Sequence, residues 1–226
     1  MSLVPRLLLQ TAIWVVALGA LLFLSAGTLR WPGAWVLLGL MAAIGTGIGL
    51  WLARRDPALL AERMKLPVQR GQKGWDQVLM GVFLALWSGW LVLMGLDMRF
   101  AWSQVPGWAS VLGAVGIMLG YGLVVPVFRA NSFAAPVVKV QAERGHRVID
   151  TGPYAVVRHP MYAGALPIFV GIPLLLGSWW GLLGVPAVMV VIALRAVREE
   201  RVLAAGLPGY AEYARRVRWR LLPGVW

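Results

Sequence analysis

Between Gln141 and Gly164 the chain reads QAERGHRVIDTGPYAVVRHPMYAG, a polar interval that holds both histidines, His146 and His159. Arg158-His159-Pro160-Met161-Tyr162 stands where the chain turns apolar again. Proline suits the first turn of a helix, where its missing N–H is no loss. The spacing therefore predicts a helix that begins at Pro160 with His159 as its cap. The free backbone amides of such a start favour an anionic group. A carboxylate fits there, with Tyr154 and Tyr162 as aromatic walls. A second group follows downstream, in Arg195-Ala196-Val197-Arg198-Glu199-Glu200-Arg201. Arg195 and Glu199 are four apart and share one helix face. Arg198 and Arg201 read as interfacial anchors. A helical hairpin between the two groups brings Arg195 and Glu199 back beside His159 and Tyr162, so that one cation and one anion face a common cavity.

Composition limits what that cavity does. The 226 residues contain no cysteine, which excludes thiol nucleophiles, disulfides and thiolate metal sites. Two histidines and nine acidic residues argue against a metal site, and none is expected. The chain is 60% hydrophobic and 13% charged, with a mean hydropathy of +0.74, which is the signature of a polytopic membrane protein. The net charge of +12 then reads as basic loops that orient the chain and meet anionic membrane lipid, not as a nucleic-acid surface.

The elements that position the two groups are apolar runs. A membrane helix needs roughly 20 apolar residues. Leu7–Leu29, Pro32–Ala53, Val78–Leu96 and Val105–Phe128 meet that length or approach it. Ser25-Ala26-Gly27 mimics a signal-peptide end, but the first run is too long for a signal core and reads as a span. Gly45 and Gly49, four apart, suit close helix approach, as do Gly113, Gly116 and Gly120. Pro126 is placed to kink the end of the fourth run. Arg54–Asp76 is a polar loop with Arg54, Arg55, Arg63, Lys65, Arg70 and Lys73. Met161–Leu176 and Gly181–Leu194 form the hairpin, with Gly177-Ser178-Trp179-Trp180 as a tight turn. Met161–Leu176 is short for a ~30 Å hydrocarbon core and carries Pro167 and Pro173, which is tolerated where a span faces protein or water. The expected fold is all-α: one membrane domain over residues 1–226, with about six transmembrane segments. Residues 1–128 supply four spans, and 129–226 the core that holds the site.

Six spans put both termini on one side. Of the 21 lysines and arginines, 19 fall on that side and only Arg30 and Arg99 on the other. The asymmetry places both termini and the Gln141–Gly164 interval in the cytoplasm.

A carboxylate site at a helix start, an acidic partner for an amine and aromatic walls together suit S-adenosyl-L-methionine. Its sulfonium is attracted to aromatic faces by about 0.5–2 kcal/mol. Composition alone does not name this ligand. The C-terminal part of the chain, from about Asn131, resembles the isoprenylcysteine carboxyl methyltransferase family of integral-membrane methyltransferases. The resemblance is carried by Gln141, His146-Arg147-Val148-Ile149, Gly152-Pro153-Tyr154, Arg158-His159-Pro160-Met161-Tyr162-Ala163-Gly164, Arg195-Ala196-Val197-Arg198-Glu199-Glu200, Tyr210 and Tyr213. The closing Arg218-Trp219-Arg220-Leu221-Leu222-Pro223-Gly224-Val225-Trp226 is similar to the bacterial branch, which implies a bacterial inner membrane as the location. The resemblance implies S-adenosyl-L-methionine as cofactor, bound by Gln141, His146, Arg147, Val148, Ile149, Tyr154, His159, Pro160, Met161, Tyr162 and Glu199. It implies that Arg195 is catalytic and faces the methyl acceptor, a lipophilic small molecule or a prenylated chain.

Taken singly, these residues have plainer readings: His146 as a loop residue, His159 as a cap, the tyrosines as interfacial aromatics. The ordered set points to a site. No Gly-rich loop follows a plausible strand, so the soluble methyltransferase signature is missing. The expected reaction is in-line attack on the sulfonium methyl by a lipophilic acceptor, taken as a carboxylate that needs no general base, with Arg195 orienting it. An amine acceptor, as in phospholipid N-methylation, instead needs a base such as His159 or Glu199. A non-enzymatic scaffold or small-solute carrier predicts ionisable residues in mid-span, and the spans drawn here have none.

Overall fold

The structure, a computed structural model, describes residues 2–66, 68–69 and 71–226. Arg70, counted above among the loop cations, lies outside the described residues. The regular structure of the described residues is helical: α1 (Leu3–Ala26), α2 (Pro32–Arg55), α3 (Pro57–Arg63), α4 (Gly74–Phe100), α5 (Gly107–Ala130), α6 (Pro160–Leu176), α7 (Trp179–Gly206) and α8 (Tyr210–Arg216). Single 3-10 turns at Ala142–Arg144 and Gly152–Ala155 punctuate the connector between α5 and α6.

Five helices, α1, α2, α4, α5 and α7, are long and apolar enough to cross a membrane, and α6 is shorter at 17 residues. Leu24, Val16 and Leu183 keep 78%, 71% and 69% of their surface exposed. Such side chains around a water-soluble bundle would be costly, whereas lipid solvates them. The sixth helix needs no lipid-length span because it packs most extensively against α5, with α2 and α7 on its other sides.

Helix ends differ from the apolar runs where local chemistry decides. α1 stops at Ala26 because Gly27 turns left-handed at φ 68° and donates its N–H to Phe23 O. α5 starts at Gly107, two residues past Val105, because Pro106 takes the cap position. Pro126 is accommodated inside α5, which continues to Ala130. Trp179 and Trp180 are the first residues of α7 instead of a turn, since Ser178 caps the helix by accepting the Gly181 N–H. α7 also runs twelve residues beyond Leu194. The loop after α2 is not all irregular: Asp56 accepts the Leu59 N–H and caps α3, and α4 begins at Gly74.

Small residues decide how α5 meets α6. A Cβ on Gly113 would lie 2.5 Å from Gly171 O, and one on Gly120 2.5 Å from Gly164 O. Gly116 faces Pro167 O. Gly49 admits Leu7 of α1, while Gly45 faces open space, so only one of that pair serves helix approach. The main core gathers Leu22, Leu37, Trp90, Leu91, Ile117 and Ile172 between the spans. A second cluster lies toward the charged end around Leu52, Leu59, Val127 and Phe128. A third, of Leu207, Tyr210, Tyr213 and Val217, ties α8 to the end of α7.

Candidate active site

The start of α6 and the extension of α7 build the site together. Pro160 occupies the first turn of α6 and His159 its cap position. The Tyr162 and Ala163 N–H groups both bond to His159 O, which leaves Met161 N–H as the amide of that turn with no partner among the described residues. The helix start therefore offers an anion fewer donors than an open first turn would. The two-residue link between α6 and α7 returns the chain antiparallel, so Tyr162 lies against Arg195 and Glu199. The Tyr162 hydroxyl donates to Glu199 Oε2 at 2.8 Å and accepts from Arg195 Nη1 at 3.0 Å. The His159 ring stacks on Tyr162 with centroids 5.4 Å apart, and its Nδ1 lies 4.0 Å from Glu199 Oε2.

Arg195 is held from three directions. Its Nε donates to Asp76 Oδ1 at 2.8 Å and its Nη2 to Pro136 O at 2.7 Å, beside the bond to Tyr162. Asp76 is fully buried and also accepts from Val138 N–H and Gln72 Nε2. This carboxylate, from the first turn of α4, fixes both Arg195 and the connector. Sequence reading missed it. The available signal was a lone acid entering an apolar run in a chain with only nine acids.

The connector wraps over these helices. Gln141 is wholly buried, donates to Phe133 O at 2.8 Å and accepts from Arg144. It does not line the cleft; it holds the connector that does. The Gln141 N–H meets His146 Nδ1 at 3.3 Å, and the His146 ring stacks on Phe133 with centroids 4.6 Å apart. Burial, aided by Arg144, pushes the His146 pKa below its usual 6.5, consistent with a neutral ring that accepts at Nδ1. Tyr154 accepts from Asn131 Nδ2 at 2.9 Å, and Tyr213 donates to Tyr154 O at 2.9 Å. Burial raises the Tyr154 phenol to about 12 and pushes Tyr213 and Tyr210 higher still, so all three remain protonated.

The C-terminal tail closes one side. Arg158 and His159 donate their N–H groups to Trp219 O and Arg220 O, both at 2.9 Å. The Arg158 guanidinium donates to Ala214 O, Val217 O and Arg218 O, and to Glu200 Oε1 at 2.6 Å. Glu200 also meets His159 Nε2 at 3.2 Å and Arg220 Nε at 3.0 Å. Glu200 is thus the structural neighbour of Glu199: it locks the tail to the start of α6, while Glu199 faces the cleft.

The result is a narrow cleft that opens to solvent at its mouth. His146, Arg147, Val148, Ile149, Tyr154, His159, Pro160, Met161, Tyr162, Arg195 and Glu199 all line it, from segments up to 53 residues apart. Phe133, Lys139, Tyr210 and Tyr213 line it as well and were not assigned to it from sequence. The Tyr210 hydroxyl is buried on this wall with no hydrogen-bond partner among the described residues. Among the described residues there is no group of three metal-ligating side chains.

A comparison with curated proteins gives no match. Residues 108–207 match the family model described as phospholipid methyltransferase. That segment runs from α5 through the connector and hairpin to the end of α7, and so contains Tyr154, His159, Tyr162, Arg195 and Glu199 but neither Asp76 nor the tail. The match supports an integral-membrane methyltransferase.

Proposed function

We propose that the protein is an S-adenosyl-L-methionine-dependent methyltransferase acting on a lipophilic acceptor at the cytoplasmic face of the membrane. The observation that carries this reading is the linked set Arg195–Tyr162–Glu199, with His159 stacked on Tyr162, in a cleft within the matched segment. The residues present fit the cofactor. Glu199 keeps a quarter of its side chain exposed and bears a carboxylate for an ammonium. The orphaned Tyr210 hydroxyl awaits an acceptor, and the Tyr154 and Tyr162 rings offer faces to a sulfonium. When bound, the cofactor supplies an electrophilic methyl group.

Within this reading Glu199 holds the ammonium, and His159, Pro160 and Met161 border the carboxylate. His146 to Ile149 line the remainder, and Gln141 acts through the connector it holds. Arg195 is positioned by Asp76 and Pro136 O before any acceptor arrives, so it orients without reorganising. A carboxylate acceptor, as in the isoprenylcysteine-type enzymes, uses the guanidinium hydrogens these bonds leave over. An amine acceptor is the second reading. The Arg195–Asp76 ion pair favours it, because Asp76 already balances that charge, and so does the phospholipid methyltransferase match. Glu199 or His159 then takes the proton from the ammonium.

The test is labelled methyl transfer to a lipid extract by the purified protein, with cofactor affinity by calorimetry, across pH 6–9. Arg195→Lys keeps the charge but loses the planar fork. A carboxylate acceptor gives a flat pH profile and a turnover loss in Arg195→Lys with cofactor affinity nearly intact. An amine gives turnover rising with pH and a smaller effect of Arg195→Lys. His159→Ala should weaken cofactor binding first. Absence of cofactor binding to the parent protein would sink the enzyme reading and leave the carrier.

A further inference from the structure

Beside the candidate active site, on the adjoining face of α7, lies a second cleft, lined by Lys73, Trp75, Lys139, Arg198, Arg201 and Val202. We propose that it binds the phosphate of an anionic membrane lipid. Arg198, Arg201, Val202 and Ala205 follow at three, four and seven residues, one stripe of α7 that adjoins the Arg195–Glu199 face. The start of α4 supplies Lys73 and Trp75, and the connector supplies Lys139. Among the described residues, no acidic side chain lines the cleft. The few acids are engaged elsewhere: Asp76 with Arg195, Glu200 with Arg158 and the tail. Among the described residues, only Glu62 reaches a cation of this cleft, at Lys139. Among the described residues Lys73, Arg198 and Arg201 have no carboxylate partner, so three cations converge uncompensated.

The cleft also has the character of a lipid headgroup site. The Arg198 guanidinium lies 5.7 Å from the Trp75 ring centroid, which orients it while leaving its N–H groups available. Trp75 stands where α4 passes from charged loop to apolar span, the depth at which indoles meet headgroups. Val202 and Ala205 give the cleft an apolar floor beside its cations. A free phosphate would use the cations alone; a lipid uses both. Lys139 belongs to the walls of both clefts, so the bound lipid sits one side chain from the candidate active site. The proposal does not depend on methyl transfer.

Native mass spectrometry of the full chain released from nanodiscs measures it, with phosphatidylglycerol and phosphatidylcholine competing. Phosphatidylglycerol should be retained preferentially. Lys73→Gln, Arg198→Gln and Arg201→Gln should each lower its apparent affinity roughly 5-fold, and the triple variant should lose the preference. Arg198→Lys with Arg201→Lys should keep most of it. Arg54→Gln with Arg55→Gln, which removes exposed cations at the end of α2, should leave it unchanged. An equal loss in the α2 variant, or no preference for phosphatidylglycerol in the parent, overturns the site and reduces these cations to general surface attraction. Inorganic phosphate at millimolar concentration displacing the lipid stoichiometrically would overturn the lipid as occupant.

Discussion

At the scale of single residues the cleft separates two adjacent carboxylates by duty. Glu200 is surrounded by Arg158, His159 and Arg220, whereas Glu199 has one neutral hydroxyl donor, Tyr162, and keeps acceptor capacity toward the cleft. Glu199→Gln preserves shape and removes charge. A charge-assisted hydrogen bond is worth about 1.5–3 kcal/mol, so calorimetry should show cofactor affinity reduced roughly 10–150-fold. Unchanged affinity would remove Glu199 from the cofactor site. His146 makes a pH prediction. Burial holds its folded pKa below 6.5, so between the two values the unfolded chain binds the extra proton. Its contribution to stability is complete above about 6.5 and is lost as pH falls through the folded value. Thermal unfolding of the detergent-purified protein should therefore drop more between pH 7.5 and 5 for the parent than for His146→Asn. Identical pH slopes would show that His146 is not buried neutral.

At the scale of elements, α5 and α6 form the rigid support from which the site projects. Their backbones approach through Gly113, Gly120, Gly164 and Gly171, where a methyl group would strike backbone atoms at 2.5–3.0 Å. Gly113→Ala should lower stability by about 1–3 kcal/mol through overpacking, visible as a reduced thermal midpoint and weaker cofactor binding as the start of α6 shifts. Gly122→Ala, on the same helix but facing open space, should be neutral. Equal effects from the two would mean that helix approach is not what the glycines serve. The prolines of α6 are tolerated for the same reason: α5, α2 and α7 cover that helix, so broken backbone bonds there need not face lipid.

At the scale of the molecule, the alternating helices bring the start of α4, the end of α5, the start of α6 and the end of α7 to one end, with the tail folded over it. Arg30 and Arg99 mark the other end. The excess of basic residues predicts that the cleft end is cytoplasmic. Gln104 and Ala211 are exposed at opposite ends of the bundle, and the chain has no native cysteine. Gln104→Cys should label from outside intact cells and Ala211→Cys should not. The reverse pattern would place the cleft away from cytosolic cofactor.

Local chemistry made much of this legible in the sequence. Apolar length announces a span, Pro after a polar run announces a helix start, and i, i+4 spacing places Arg195 and Glu199 on one face. Those rules act within a few residues, so composition and spacing sufficed for the all-helical membrane bundle and for Pro160 as the start of α6, whereas His146 to Ile149 on the connector were named only by what the family resemblance implies. Partners far apart in sequence are set by how helices pack, and no spacing rule reaches them. Asp76 meets Arg195 across 119 positions only because α4 packs on α7. Gln141 lies behind the connector, not in the cleft, because burying its amide satisfies Phe133 O. Glu199 and Glu200 look alike as neighbours in the chain. They diverge because a helix turns about 100° per residue, which sends one toward the cleft and the other into the cations of the tail.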